Sequence, residues 1–309
     1  MDNKNRQAKR FSIQIVVGIF TLIISTVIMI VVLGDRIDKA GDNLINVERD
    51  SIDNINPLLL ADTEIKIDKT SNNVDIINNI KKAYNIDVIY GKSSTSIVKT
   101  VGAIPIYNTD EINTLLWGLV ECLEKYPQGL IKEIQLYGYN VEIYLVDSFS
   151  NDNIALATRD SNNNFKIFLS VVKTTEKISK SVHHEFYHVL EYYMKLEFNI
   201  NELYEYWTRN NPDGFKYNPD ITKLTKEYVY GVTGENLGAY FITVYSKTAE
   251  QEDRAEVFAD MMLRETMPSY YTDNLGAIKN KVIAISAALK SSFSSVKNAS
   301  SLYWERYIY

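Results

Sequence analysis

The order of apolar and polar positions divides the chain into stretches of different character. Residues 11–33 run for 23 positions without a charge. As a helix they would reach about 34 Å, enough to cross a hydrocarbon core of ~30 Å. Residues 34–73 are polar, with few aromatics, one proline and weak periodicity, which reads as a stalk or linker. From Val74 the patterning tightens. Residues 74–80 read as helix and 86–91 as a strand ending at Gly91, and residues 110–126 read as an amphipathic helix begun by a Thr109-Asp110 cap and stopped before Pro127. Strand-like runs follow at 134–139, 141–146, 154–159 and 165–172, separated by Asn, Asp, Ser and Gly. Two helical patterns come after them, one around residues 177–194 without Pro or Gly and one at 250–264. Strands grouped ahead of helices predict an α+β domain over residues 74–309.

The first of those helical patterns carries the chemistry. Val182, Phe186, Val189, Leu190 and Tyr193 recur at helical spacing and give it an apolar face. All three histidines of the chain, His183, His184 and His188, fall here, and His184-Glu185-Phe186-Tyr187-His188 forms a His-Glu-x-x-His string. Positions four apart share a helix face, so His184 and His188 can offer imidazole nitrogens to one Zn2+ ion. Glu185 stands beside the pair without joining it, placed to take a proton from water that zinc has acidified. A structural cluster of histidines is the competing reading, but three histidines in 309 residues, all spent within six, argue against accident.

Two histidines do not complete a catalytic zinc site, and no histidine remains. The third ligand is then a carboxylate. Glu191 shares the helix of His184 and His188, where three ligands along one face cannot converge on an ion. The extended string of the metzincins also fails, because Glu191 and Met194 occupy its Gly and third His positions. Residues 250–264 offer Glu250, Glu252, Asp253, Glu256 and Asp260, with Glu252 and Glu256 one turn apart beside Ala255 and Ala259. Spacing leaves Glu252 and Glu256 both open.

The stretch from Tyr245 to Phe258, with Glu252 seven residues after Tyr245 and Ala255-Glu256-Val257-Phe258 behind it, resembles the second motif of the anthrax lethal factor-like metallopeptidases, which include the Pro-Pro endopeptidases. The resemblance implies a zincin-like domain in which Glu252 is the third zinc ligand. It further implies that Glu256 holds a ligating imidazole through its other nitrogen and that Tyr245 donates to the developing oxyanion. A peptide extended along an edge strand, at 154–159 or 165–172, is implied as well. Tyr187 stands where the family usually has Gly, and Arg254 replaces a common apolar residue.

Charge and the N-terminus set the surroundings. A net charge of −6 without a basic stripe beyond the first ten residues excludes nucleic acid as a partner. The single cysteine, Cys122, excludes an intrachain disulfide and falls on an apolar helix side with Ile112, Leu116, Leu119 and Leu123, as a core thiol does. Lys4, Arg6, Lys9 and Arg10 precede residues 11–33, against two bases and three acids in 34–43. The positive-inside rule leaves residues 1–10 in the cytoplasm, makes 11–33 an uncleaved transmembrane signal-anchor in preference to a cleaved signal peptide, and sends the rest outside. The expectation is a membrane-anchored extracytoplasmic zinc endopeptidase acting on proteins or peptides. Its rivals are a zinc hydrolase of cell-wall peptides and a non-catalytic anchored binding module with a structural metal, the latter disfavoured by the lack of cysteine near the motif.

Overall fold

The computed structural model describes residues 65–306 except 152, 163, 173, 198–200, 230–237, 266–267, 269–275 and 300. All of them belong to one compact unit, Pro57–Tyr309. The expected anchor at 11–33 and most of the expected linker lie outside the described residues. Among those described, no helix is long and apolar enough to cross a membrane.

Chain order gives α1 (Asn73–Tyr84), β1 (Asp87–Ile89), α2 (Thr95–Thr100), β2 (Ala103–Pro105), α3 (Thr109–Leu123), α4 (Gln128–Leu136), β3 (Val141–Phe149), β4 (Ala155–Arg159) and β5 (Phe165–Ser170). The helical half follows as α5 (Thr175–Glu197), α6 (Asn201–Thr208), α7 (Glu250–Leu263), α8 (Ala277–Ser292) and α9 (Ser294–Lys297). This is an α+β fold with a small mixed sheet. Its strand order is β1-β3-β5-β4, with β2 also on β3; β3 runs parallel to β1 and β5, while β4 is an antiparallel edge.

The sheet's two faces follow the alternation of its residues. Val141, Ile143, Leu145, Ile167 and Leu169 point into the main core with α1, α3, α4, α5, α7 and α8. Tyr144, Val146 and Phe168 point the other way, onto Val98 of α2. Ile65 and Ile67 already pack on the main core, and the Gln128 amide clasps both backbone groups of Ile65.

Two expectations are corrected. Residues 134–139 do not form a strand: Leu130, Ile131 and Ile134, all buried, recur at helical spacing, and the chain after Pro127 closes into α4 before turning at Gly138, where φ is 84°. The cap of α3 is Asn108, whose side chain accepts from the N–H groups of Asp110 and Glu111, a residue earlier than the Thr109-Asp110 signal. Cys122 is buried among the residues expected around it.

One glycine positions the later site. A Cβ on Gly118 of α3 would stand 2.8 Å from Ile178 Cγ2 of α5. Only glycine lets those two helices approach so closely.

Candidate metal centre

The 23-residue helix α5 has no internal breaker and buries Val182, Phe186, Val189, Leu190 and Tyr193 as a continuous stripe. That stripe fixes its rotation, and the rotation decides where each histidine goes. His183 points away from its neighbour, into the core, where Nδ1 meets the Tyr126 hydroxyl at 2.7 Å. His184 and His188 turn together toward α7, their rings 4.9 Å apart.

Helix α7 is almost wholly interior, since every residue from Asp253 to Met262 is buried. Fully buried Ala255 and Ala259 leave its backbone close to its neighbours. Glu252, in its first turn, brings Oε2 to 3.0 Å from His184 Nε2 and 3.4 Å from His188 Nε2, and the two Nε2 atoms are 3.2 Å apart. These three side chains therefore converge, while Glu191 does not. Donor atoms each ~2.05 Å from a tetrahedral ion stand about 3.3 Å from one another. The triangle has the edge lengths of a zinc coordination face.

Glu256, one turn on, takes the opposite side of the same imidazole. Its Oε1 lies 3.1 Å from His184 Nδ1, and its Oε2 accepts from Lys180 Nζ at 2.8 Å and Thr243 Oγ1 at 2.7 Å. The carboxylate is best met by an N–H on Nδ1, which leaves the Nε2 lone pair facing the triangle. Burial alone would raise the Glu256 carboxyl, but His184 and Lys180 outweigh it and hold it down at about 2. Burial likewise opposes charge on His184, yet the hydrogen bonds to Glu252 and Glu256 lift it to about 9. The cluster draws positive charge.

Glu185 is 8% exposed, and burial pushes its carboxyl up against the pull of His184 and His188; the Ala157 N–H of edge strand β4 donates to it. Tyr245 opens a short turn of 3-10 helix, Tyr245–Lys247, with its ring 5.9 Å from that of His184. Its hydroxyl lies against Glu252, and burial together with that carboxylate pushes its pKa above the ordinary tyrosine value.

A family model described as "Putative zinc-binding metallo-peptidase" matches residues 66–292. The chain belongs to that family. A solved structure titled a putative zinc-binding metallo-peptidase, from Bacteroides caccae, is 17% identical, with 75% of this chain and 89% of that one covered and a TM-score of 0.45. No curated protein matches the chain.

Zinc is thus the cofactor of this metallopeptidase, and a donor set of two imidazoles and one carboxylate suits that ion. Sequence reasoning missed what braces the triangle. Lys180 and Thr243 sit 76 and 13 residues from Glu256, with no local signal. Arg254, noted only as a departure from the apolar residue usual there, reaches Glu191 of α5 with Nε 2.6 Å from Oε1, and also binds Glu250. Asp253, next to Glu252, accepts from Lys281 Nζ at 2.7 Å, Trp207 Nε1 at 2.9 Å and the Tyr217 hydroxyl at 3.0 Å. Trp207, Phe215 and Tyr217 thereby pack residues 207–217 onto the body; Phe215 lies 4.6 Å from Phe241 by ring centres.

Proposed function

We propose that the chain is an endopeptidase of the lethal factor-like kind, in which His184, His188 and Glu252 hold the ion, Glu185 is the general base and Tyr245 the oxyanion donor. When bound, zinc lowers the pKa of a water ligand to about 7 and polarises a carbonyl. The carboxylate of Glu185 takes the proton of the attacking water and returns it to the leaving amine. Tyr245, 44% exposed and so open to a substrate, donates its hydroxyl to the oxyanion. Glu256 keeps the His184 ring turned so that Nε2 remains free to ligate.

The supporting observation is the triangle of donor atoms with Glu185 buried beside it and edge strand β4 over Glu185. Among the two runs suggested for substrate pairing, β5 is enclosed between β3 and β4, so β4 is the strand with an open edge. The proposed setting is the outer face of the cytoplasmic membrane, with residues 11–33 as anchor; the charge-free length of 11–33 and the bases before it support this.

Mass spectrometry of peptide-library products from the zinc-loaded full chain tests the reading. Internal cleavage is expected, abolished by chelator, with Glu185→Gln retaining zinc and losing about 10²–10⁴-fold in rate. Full activity in that variant would remove Glu185 as the base.

A further inference from the structure

The short turn that carries Tyr245 is closed by side chains of its own segment. Thr243 and Ser246 bond reciprocally: the Ser246 N–H donates to Thr243 Oγ1 at 3.2 Å and the Thr243 N–H to Ser246 Oγ at 3.3 Å. The pattern is that of a capping box, in which two side chains satisfy each other's backbone donors. Thr248 Oγ1 tightens the other end by donating to Tyr245 O at 2.7 Å. Ser246 is fully buried, so the pair is held inside while Tyr245, one residue back, stays exposed.

One hydroxyl of that pair does more than close the turn. A threonine hydroxyl has a single proton to donate and two lone pairs, and an ionised carboxylate can only accept. The proton of Thr243 Oγ1 therefore goes to Glu256 Oε2, 2.7 Å away, and its lone pairs are left for the Ser246 N–H. The same oxygen of Glu256 accepts from Lys180 Nζ at 2.8 Å, while Oε1 meets His184 Nδ1 at 3.1 Å. A continuous path of hydrogen bonds thus runs from the Tyr245 turn through Thr243 and Glu256 to the His184 ring. On the far side of that ring Glu252 stands at Nε2, and the Tyr245 hydroxyl lies against Glu252. The path leaves the segment of Tyr245 and returns to its side chain. Lys180 belongs to α5 and lies off this loop.

Resting on the peptidase reading, we propose that Thr243 is a positioning residue whose hydroxyl locks the Tyr245 turn to the Glu256–His184 pair and so sets the oxyanion donor relative to the metal triangle. The ion and the Tyr245 hydroxyl have to meet one and the same oxyanion, which requires their separation to be held to within about 0.5 Å. Removing the Thr243 hydroxyl unties the turn while His184, His188 and Glu252 all remain. It also takes one of the donors from Glu256 Oε2, so the brace behind His184 weakens at the same time.

The test compares Thr243→Val, which keeps the shape and removes the hydroxyl, with Thr243→Ser, which keeps the hydroxyl, and Lys180→Met, which removes the other donor to the same oxygen. Thr243→Ala removes the same group with no new methyl, so the comparison stands if the valine chain does not fold. Each is made in the full chain, alone and together with Tyr245→Phe. Zinc affinity is read by chelator competition, and kcat and KM at saturating zinc on a peptide that the parent chain cleaves. Thr243→Val and Lys180→Met are each expected to weaken zinc binding by about 3–10-fold, at or below the low end for partners behind a metal ligand. Thr243→Val should further lower kcat about tenfold with KM unchanged, because Tyr245 acts in the transition state, and Thr243→Ser should restore both. With Tyr245→Phe present, the kcat loss from Thr243→Val should shrink to that of Lys180→Met, while its loss of zinc affinity persists. A kcat loss equal in the two backgrounds, a serine that fails to restore it, or unchanged zinc affinity and kcat in Thr243→Val and Thr243→Ala overturns the role of Thr243. No cleavage of any peptide by the parent chain overturns the peptidase reading itself, a result distinct from all of these.

Discussion

Glu252 and Asp253 are adjacent acids in the first turn of α7, and they meet opposite surroundings. Asp253 is fully buried, and its Oδ2 accepts from an ammonium, an indole N–H and a phenol hydroxyl. Glu252 instead faces two imidazole nitrogens across 3.0 and 3.4 Å, with the Tyr245 hydroxyl beside it. One helical step, about 100°, separates a charge that the fold neutralises from one that faces the candidate metal site. Buried charges are tolerated only when paired, and the identity of the partner tells structure from chemistry.

Substitutions should separate the two roles. Glu252→Ala is expected to strip the chain of most of its zinc, as read by metal analysis, while Glu256→Ala retains more; the reverse ranking would make Glu256 the ligand. Asp253→Ala should keep zinc binding in whatever fraction remains folded, yet lose about 3–5 kcal/mol of stability in denaturant titration, because the Lys281 ammonium is left buried without its carboxylate. A loss below 1 kcal/mol would mean that the pair contributes little. Glu256→Gln should weaken zinc affinity by about 10–100-fold in competition with a chelator, through His184 and without direct contact to the ion. Gly118→Ala should cost about 1–3 kcal/mol by pressing α3 away from Ile178, with activity falling as α5 shifts. The smallest effect tests the core: burial pushes the Cys122 thiol up to about 12, so native protein at pH 8 should resist alkylation and react only when unfolded.

The same contrast explains which parts were readable from the chain. His184 and His188 are four apart on a helix with an apolar stripe, so their common face followed from period alone. Glu252 and Glu256 share a face as well, which is why spacing left both open and only a resemblance to a known motif separated them. The geometry sets them against the two nitrogens of one ring, Glu252 at Nε2 and Glu256 at Nδ1 of His184. Lys180, Thr243 and Lys281 come from remote segments, and tertiary partners of that kind leave no local trace. Short elements were equally hidden: α2 and β2, at six and three residues, carry too few positions to display a period. Residues 134–139 misled because Ile, Leu and Tyr suit a strand, while the burial of Leu130 and Ile131 that makes them helical belongs to the preceding turn.

The central claim is that His184, His188 and Glu252 bind zinc and leave one position to solvent. Zinc-edge X-ray absorption of the loaded full chain addresses it most directly. Two imidazole nitrogens, one carboxylate and one further oxygen at about 2.0–2.2 Å are predicted. A closed shell of four protein ligands, or a spectrum unaltered in Glu252→Ala, would contradict it.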